Sequence, residues 1–486
     1  MPAKQFLIIQ TAFLGDAVLA TSILEKLHAF YPDAAIDLVV RKGNEGLFLE
    51  HPFLRKVLVW EKRRNKTRNL FQLIRELRST DYDHIINCQR FFSTGLMTVL
   101  AQGQEKIGFS KNPLSFLFSR RVKHSIPEPK ALRGQLVNSS APIVHEVDRL
   151  NALIEHLTDA ARPLPRLYPT LGSRNDAERV RYQHTEDEGR YVCIAPASVW
   201  FTKQWPEAKW VELIKSLPAE MHVFLIGAPS DGQLCERISN AAGRGFNVSE
   251  DLGPLGSAVL MESAAMNYVN DSAPLHIASA MNAPVTAVFC STVPAFGFGP
   301  LNANGRILER KEPLSCRPCG LHGYKACPEG HFKCALEVDL KEVLPTGLPT
   351  QTKVQSEQSM GAHSNKSPTV QRSLNSGIPQ REHDIEAIIT AIASKDGGRK
   401  SPLFSGYRPD HNFFTHPELN GGMHVYATGS IAPGETGNAT IWLLAPERNF
   451  GLMQEGAAFT VQEGNRVVAT GKITKLVNDR LRKANA

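Results

Sequence analysis

The segment 270–280 carries the clearest chemical signal in the sequence. It places an acid, a hydroxyl and a small residue, Asp271-Ser272-Ala273, between an apolar run and a stretch of small residues typical of a helix. A second apolar run follows at 284–290, so the pattern predicts a strand, a tight turn, a helix and another strand. The free N–H groups of a helix that starts at Asp271 or Ser272 would suit a phosphate. The same residue types are also ordinary helix caps.

Three other polar residues stand where predicted strands meet predicted helices. Asp16 lies where the first loop meets a helix, so its carboxylate could cap that helix or act as a general base facing a cleft. Lys203 comes just before a helix that starts with Pro206, a position suited to meeting phosphates, although a single lysine is more often an ordinary surface residue. Asp231 follows a predicted strand, where an acid can accept hydrogen bonds from ribose hydroxyls or can simply cap a turn or face solvent.

Four of the eight cysteines form a compact cluster with the spacing Cys-x2-Cys-x7-Cys-x6-Cys. This spacing suits a tetrahedral zinc ion. In a cytosolic protein, metal binding is favoured over disulfides, but free or redox-active thiols and disulfides remain alternatives. The other four cysteines stand beside or inside apolar runs, as buried thiols do. The clustered cysteines are Cys316, Cys319, Cys327 and Cys334.

Alternating strands and helices must position these residues. In the first part of the chain, apolar runs predict strands at 6–10, 35–40, 56–60 and 83–88. The helix predicted at 17–30 has Leu19, Ile23, Leu24 and Leu27 at helical spacing. The later part repeats the alternation, with strands that begin near 190, 222, 266 and 284. Such alternation predicts parallel α/β sheets, which bind ligands outside the carboxyl ends of their strands.

Composition restricts the class of protein. A chain of 486 residues with 42% hydrophobic and 21% charged residues is expected to form several soluble globular domains. No uninterrupted apolar run reaches the roughly 18 residues of a membrane span, and we find no signal-peptide pattern. Gly-x-Gly-x-x-Gly and Gly-x-x-x-x-Gly-Lys-Ser/Thr are both missing from the sequence, which disfavours ordinary dinucleotide and P-loop sites. We therefore expect a cytoplasmic protein.

Two basic segments, 62–68 and 120–123, lie in the first part of the chain. They could form a solvated basic face. Alternatively, they could hold an anionic acceptor or anionic lipid headgroups. The net charge of +7 is mild for this length and does not by itself indicate nucleic-acid binding.

From about residue 5 to 345 the sequence resembles glycosyltransferase family 9, the ADP-heptose:lipopolysaccharide heptosyltransferases. Seven short motifs carry the resemblance, in order along the chain. They are Leu14-Gly15-Asp16, Tyr82-Asp83-His84-Ile85-Ile86-Asn87, Ile107-Gly108-Phe109, His145-Glu146-Val147-Asp148-Arg149, Lys203-Gln204-Trp205-Pro206, Gly227-Ala228-Pro229 and the segment 270–280.

The resemblance implies a GT-B fold, with a Rossmann-like acceptor domain at 1–165 facing a Rossmann-like donor domain at 166–345 across a cleft. It implies inverting, metal-independent transfer of heptose from ADP-heptose to the lipopolysaccharide inner core, at the cytoplasmic face of the inner membrane. Asp16 would take the proton from the acceptor hydroxyl, and Lys203 would neutralise charge on the leaving diphosphate. Catalysis would need no cofactor, and zinc would be structural. The donor-binding positions would be Ser198, Lys203, Asp231, Asp271, Ser272, Ala273 and His276.

The remainder of the chain has a different composition. Residues 349–380 are rich in Ser, Gln, Asn, Lys and Pro, which predicts a disordered linker, followed by a short helix at 383–394 within a linker region that extends over 346–395. Short alternating runs separated by turns then predict an all-β barrel at 396–486.

This predicted barrel resembles the C-terminal barrel of translation elongation factor Tu, which contacts tRNA and protein partners. The matching motifs are Gly406-Tyr407-Arg408-Pro409, Ala432-Pro433-Gly434-Glu435, Phe459-Thr460-Val461-Gln462-Glu463-Gly464 and Arg466-Val467-Val468-Ala469-Thr470-Gly471.

Three functional interpretations follow. The chain could be the heptosyltransferase, or an inactive or diverged GT-B protein that binds ribosome, tRNA or protein through its barrel. It could also be a related transferase that uses another nucleotide-sugar. The joint presence of Asp16, Lys203 and Asp271 favours an enzyme. Ala273, which stands where the family has glycine, favours loss of activity.

Overall fold

The computed structural model describes residues 3–134, 143–185, 189–340, 381–399, 402–407, 409–414, 420–443, 446–463 and 466–483. These residues form two compact units. The first contains two six-stranded parallel sheets, and the second contains a closed antiparallel barrel. The prediction of two parallel α/β sheets and a C-terminal barrel is therefore confirmed. The predicted linker 349–380 lies outside the described residues.

The first sheet has the strand order β3-β2-β1-β4-β5-β6. Its central strand is buried along Phe6 to Ile9, as expected for an apolar run covered on both faces. All of its strand pairs are parallel. The strands are β1 (Gln5–Gln10), β2 (Ala35–Arg41), β3 (Leu54–Trp60), β4 (Tyr82–Asn87), β5 (Gly103–Phe109) and β6 (Arg120–Val122).

Helices connect these strands, and all of them except the short α4 (Pro129–Leu132) contribute buried side chains. In the longest, Ile23, Leu24 and Leu27 are buried at the spacing of successive helical turns. Among the described residues, none of the helices is long and apolar enough to cross a membrane. The helices of this half are α1 (Leu14–Phe30), α2 (Lys66–Leu77), α3 (Phe92–Leu100), α4 (Pro129–Leu132) and α5 (Glu146–Asn151).

The second sheet has the order β12-β11-β10-β7-β8-β9 and is also parallel. Its strands are β7 (Tyr191–Ala195), β8 (His222–Leu225), β9 (Phe246–Asn247), β10 (Met266–Asn270), β11 (Val285–Phe289) and β12 (Gly305–Glu309). Its helices are α6 (Leu171–His184), α7 (Glu207–Ser216), α8 (Gly232–Ala242), α9 (Pro254–Glu262), α10 (Ala273–Ala280) and α11 (Lys333–Leu336). One hydrophobic core includes residues from both sheets, such as Phe6 and Phe289. The two halves of this unit are therefore packed together.

The barrel closes in the order β13-β18-β16-β15-β19-β20 around its own core, which includes Ile389, Ile441 and Phe459. Its strands are β13 (Ile385–Ala391), β15 (Asp410–Asn412), β16 (Asn420–Tyr426), β18 (Thr436–Leu443), β19 (Ala458–Glu463) and β20 (Arg466–Leu476). Two further short strands, β14 (Leu403–Phe404) and β17 (Ser430–Ile431), pair with each other.

The helix predicted at 383–394 is wrong, because Ile385–Ala391 is strand β13 of the barrel. Ile385, Ala387, Ile389 and Ala391 are buried while Ile388 is exposed, which is the period of two of a strand. Pairing with β18 on one side and β20 on the other provides hydrogen-bond partners for its backbone N–H and C=O groups. The barrel strands therefore begin before residue 396, where the sequence pattern had placed the boundary.

Candidate active site

Asp16 lies in the first turn of α1, directly beyond the carboxyl end of β1. Its side chain keeps part of its surface exposed, but the surrounding protein desolvates the carboxylate. Burial, followed by the negative charge of Glu146, raises the pKa of Asp16 to about 6, against the opposing effects of nearby backbone N–H groups and of Lys203. A carboxylate that titrates near neutral pH is suited to act as a general base.

Glu146, at the start of α5, is a neighbour of Asp16 that the sequence analysis did not assign to the site. It is buried and accepts hydrogen bonds from His124 Nε2 at 3.0 Å and from Arg149 Nη1 at 3.0 Å. Burial acts to raise the pKa of Glu146, but these two partners hold it below its ordinary value. The carboxylate therefore stays charged beside Asp16. The one indication in the sequence was that Glu146 belongs to the charged motif at 145–149, which surrounds the apolar Val147.

The turn of Asp16 packs directly on the helix of the predicted donor loop. A Cβ atom on Gly15 would lie 2.8 Å from His276 Cδ2 and 3.5 Å from the Cα of Ala273. His276 is buried, and burial lowers its pKa to about 3, so its imidazole is neutral. Within the described ranges, its Nδ1 has no hydrogen-bond partner. The structure thus brings Ala273 and His276 next to the turn that carries Asp16.

Lys203 and Asp271 form an ion pair at the carboxyl edge of the second sheet. Lys203 Nζ lies 2.7 Å from Asp271 Oδ2, and the same oxygen accepts a hydrogen bond from Thr292 Oγ1 at 2.6 Å. Lys203 follows β7, Asp271 follows β10 and Thr292 follows β11, and these three strands are neighbours in the sheet. A carboxylate repels a phosphate, so Asp271 is not suited to bind a phosphate directly. Its contacts suit it to hold the Lys203 side chain in position. Thr292 was not identified from the sequence.

Asn270 fixes the turn of Lys203 to the end of β10. Its Oδ1 accepts a hydrogen bond from the Trp205 N–H at 2.9 Å, and its Nδ2 donates to the Pro196 carbonyl at 2.7 Å. Both bonds are buried, so neither competes with water. Asn270 therefore positions Lys203 without facing a ligand itself, a role that the sequence pattern did not indicate.

The remaining predicted donor residues lie at the ends of neighbouring strands. Ser272 occupies the N-cap of α10 but makes no capping hydrogen bond with its side chain. Ser198 is partly exposed, and its carbonyl accepts a hydrogen bond from Gln204 Nε2 at 2.6 Å within the turn of Lys203. Asp231 Oδ2 accepts a hydrogen bond from the Ala228 N–H at 2.8 Å, so it caps its own turn. Of the three roles considered for Asp231, which were ribose binding, capping of a turn and exposure to solvent, the structure shows the capping of the turn.

Three of the clustered cysteines lie in the loop between β12 and α11, and the fourth, Cys334, lies in α11 itself. All eight cysteines have free thiols. Burial and, second, the Cys319 thiol raise the pKa of Cys334 to about 12, and Cys316 Sγ lies 3.7 Å from His331 Nε2. In the part of the chain that the structure describes, no three His, Cys, Asp or Glu residues are arranged to hold a metal ion. The zinc site remains a prediction from spacing.

Known proteins match the two-sheet unit. The model of glycosyltransferase family 9 (heptosyltransferase) matches residues 70–320, just over half of the chain. Lipopolysaccharide heptosyltransferase 3 of Escherichia coli is 25% identical over 295 residues, which is 58% of this chain and 82% of that protein. Lipopolysaccharide heptosyltransferase 1 of Pseudomonas aeruginosa is 25% identical over 332 residues, which is 64% of this chain and 85% of that protein.

Two solved structures share the fold. A family 9 glycosyl transferase from Veillonella parvula superposes with a TM-score of 0.55 at 19% identity, covering 63% of this chain and 85% of that one. The E. coli ADP-heptose LPS heptosyltransferase II gives a TM-score of 0.52 at 20% identity, covering 63% and 90%. These likenesses confirm the GT-B arrangement of the two sheets. Together with the family match, they show that the chain belongs to glycosyltransferase family 9, the heptosyltransferase family.

Proposed function

We propose that this glycosyltransferase moves heptose from ADP-heptose to the inner core of lipopolysaccharide, on lipid A-Kdo or a heptosyl acceptor. The observation that carries the proposal is the packing of α1 on α10, because it brings Asp16 beside the loop in which Lys203 pairs with Asp271. Relatives named as lipopolysaccharide heptosyltransferases support the substrate class. We assign the acceptor to residues 1–165 and the donor to residues 166–345.

In the proposed reaction, Asp16 removes the proton of the acceptor hydroxyl as its oxygen attacks the anomeric carbon. The bond to the diphosphate breaks on the opposite face, so the configuration inverts. The Lys203 ammonium offsets the charge that develops on the leaving diphosphate, and Asp271 holds Lys203 in place. The Ala273 N–H at the first position of α10 and the Ser272 hydroxyl would face the phosphates. Ser198 would lie near the phosphates and Asp231 near the ribose.

Isothermal titration calorimetry with ADP and ADP-heptose tests the donor site. We expect micromolar binding by the wild-type protein and at least tenfold weaker binding by Lys203→Ala, a change of about 1.4 kcal/mol. Lys209→Ala is the matched control, because that lysine pairs only with the exposed Glu212 among the described residues. Absence of binding by folded wild-type protein would refute the proposal. Tighter binding of a different nucleotide-sugar would instead support the related transferase.

The acceptor proposal places the protein at the cytoplasmic face of the inner membrane. Basic segment 62–68 begins α2 at the carboxyl edge of the first sheet, and Arg63 and Arg64 are exposed. Large apolar side chains also project from this edge, with Phe13 at 56%, Phe91 at 62% and Phe116 at 69% exposure. Cations flanking exposed aromatic rings suit a surface of anionic headgroups.

Co-sedimentation with vesicles of phosphatidylglycerol and phosphatidylcholine tests this location. Each cation near an anionic bilayer contributes about 1 kcal/mol, so Arg63→Glu/Arg64→Glu is expected to weaken partitioning more than tenfold. Arg75→Glu/Arg78→Glu changes the same charge at the opposite end of α2 and is expected to have a much smaller effect. Equal losses in the two variants would contradict a specific docking edge.

The zinc prediction has a test of its own. Cys316, Cys319, Cys327 and Cys334 offer the soft ligands that zinc prefers, and neighbouring thiols influence one another's pKa. We infer that zinc bound there would stabilise the loop, and the reaction above needs no metal. Elemental analysis of the purified protein is expected to give one zinc per chain, reduced in Cys319→Ser. A metal content near zero with full thermal stability would contradict the inference.

The barrel carries the second candidate function. It closes around its own hydrophobic core and shares motifs with the tRNA-contacting barrel of elongation factor Tu, so we infer that it is a binding module for RNA or protein. Fluorescence anisotropy of labelled tRNA with the full chain tests this. Submicromolar binding at physiological salt, with no affinity for ADP, would favour the binding module over the enzyme. No tRNA binding would leave a protein partner to be sought by cross-linking.

A further inference from the structure

The cysteine-rich loop packs against the turn that carries Lys203. The Tyr324 N–H donates to Thr202 Oγ1 at 2.7 Å, and the Thr202 N–H donates to the Tyr324 carbonyl at 3.1 Å. Gly323 directly precedes Tyr324 in this loop. A Cβ atom on Gly323 would lie 2.9 Å from Lys203 Cγ and 2.5 Å from Trp200 Cβ. The loop backbone therefore forms one side of the space around the Lys203 side chain.

A chain of hydrogen bonds continues from this loop to the Lys203–Asp271 pair. The Cys319 N–H donates to the Ser291 carbonyl at 3.1 Å, and Ser291 Oγ donates to Thr202 Oγ1 at 3.0 Å. The residue after Ser291 is Thr292, which donates to Asp271. The loop, the turn and the ion pair thus form one connected structure, although they are far apart in sequence.

Two nitrogen-bearing side chains lie beside this structure without a role in the reaction described above. His322 immediately precedes Gly323 and is exposed to solvent. Although part of the residue faces solvent, the surrounding protein partly desolvates its imidazole, and this desolvation, followed by the positive charges of Lys203 and Arg90, lowers its pKa against the opposing effect of Asp271. Arg90 follows β4 in the first sheet and is partly buried. Its guanidinium makes no hydrogen bond or ion pair with the described residues.

We propose that the cysteine-rich loop is part of the donor site, where His322 and Arg90 join Lys203 in binding the diphosphate of the nucleotide-sugar. This inference rests on the proposed function and deepens it. Two cations, Lys203 and Arg90, and one carboxylate, Asp271, lie close enough to His322 to act on it electrostatically, so the site carries excess positive charge that a diphosphate would neutralise. Arg90 comes from the acceptor half and His322 from the donor half, so the diphosphate would be held from both sides of the cleft.

Calorimetric titration with ADP and AMP tests the proposal, because AMP lacks the outer phosphate. His322→Gln and Arg90→Gln are each expected to weaken ADP binding about tenfold, equivalent to about 1.4 kcal/mol, with a smaller effect on AMP. Arg90→Lys keeps a cation and His322→Lys keeps an N–H donor and adds a cation, so both variants are expected to retain most of the ADP affinity. His331→Gln is the matched control on the same loop, since His331 lies against Cys316.

The outcomes separate this inference from the proposed function. If wild-type protein binds ADP and neither glutamine variant is weaker, the role of His322 and Arg90 is refuted while the donor site stands. Equal losses for ADP and AMP, not restored by lysine, would show a structural effect and would also refute it. If wild-type protein binds no ADP, the proposed function fails first. Melting temperatures of all variants establish that each is folded.

Discussion

Gly15 and His276 are in such close contact that a single methyl group on Gly15 would come within 2.8 Å of the imidazole. Gly15 precedes the proposed general base, and His276 belongs to the helix of the proposed donor loop. The base and the donor loop are therefore positioned by direct packing of α1 on α10. Small changes at this contact should change the reaction geometry as well as stability.

Gly15→Ala is expected to lower both stability and activity. Overpacking of a buried contact costs about 1–3 kcal/mol, because the buried imidazole of His276 or the backbone of α1 or α10 must shift to admit the methyl group. Displacement of Asp16 should lower kcat more than it raises the KM for the donor. Gly253→Ala is the control, since a Cβ there would meet nothing within 4 Å. A Gly15→Ala enzyme with wild-type kcat would contradict the importance of this contact.

The ion pair of Lys203 and Asp271 predicts strong coupling in a double-mutant cycle. If Asp271 acts by holding Lys203, then Asp271→Asn weakens ADP binding in the wild-type background and has little effect once Lys203 is alanine. We expect a coupling free energy of about 1 kcal/mol or more, within the range for residues in contact. Titration calorimetry of the four proteins measures it. Additive effects would show that Asp271 contacts the donor independently.

The raised pKa of Asp16 predicts the acidic limb of the activity profile. A general base must be deprotonated, so kcat/KM should fall below a pKa of about 6 and be constant above it. Glu146 contributes to the raised pKa, so Glu146→Gln should move the limb to lower pH. The pH dependence of heptose transfer measures both effects. A limb that stays in place in Glu146→Gln would contradict the electrostatic link.

The barrel contains a buried chain of hydrogen bonds that fixes two neutral histidines. His411 Nδ1 lies 2.7 Å from the Asn420 carbonyl, His411 Nε2 lies 2.6 Å from His424 Nε2, and His424 Nδ1 lies 2.8 Å from the Tyr426 hydroxyl. The carbonyl accepts only, so His411 donates from Nδ1 and accepts at Nε2. His424 then donates from Nε2 and accepts from Tyr426. A proton added to either ring would break this order.

This chain predicts acid sensitivity of the barrel. Burial lowers the pKa of His411 to about 4 and that of His424 well below its ordinary value. In the unfolded chain the imidazole pKa is about 6.5. The contribution of the two neutral histidines to the stability of the barrel is therefore complete above that pH and is lost as the pH falls towards 4. Hydrogen exchange of β15 and β16 in the full chain should therefore accelerate, after correction for the intrinsic rate, between pH 7 and pH 5. Unchanged protection would contradict the neutral pair.

Several features of this protein were determined by the sequence alone. Apolar runs that end in polar turns predicted the parallel sheets and placed Asp16, Lys203 and Asp271 at strand ends. Those predictions hold because strand ends and helix starts are fixed by neighbouring residues, through burial of the run and satisfaction of the backbone in the turn. Neighbouring residues alone gave the wrong prediction at Ile385–Ala391, where the short apolar pattern is compatible with either a helix or a strand. The segment is a strand because it pairs with other strands of the barrel.

Only the tertiary structure decided which of these residues meet. Lys203 pairs with Asp271 because β7 and β10 are adjacent in the sheet, although the two residues are far apart in the chain. Glu146 acts on Asp16 across the packing of separate helices, and Thr202 contacts a loop more than a hundred residues away. Charge coupling and close packing depend on distance in space, and strand order sets that distance. Composition and periodicity carry no information about it.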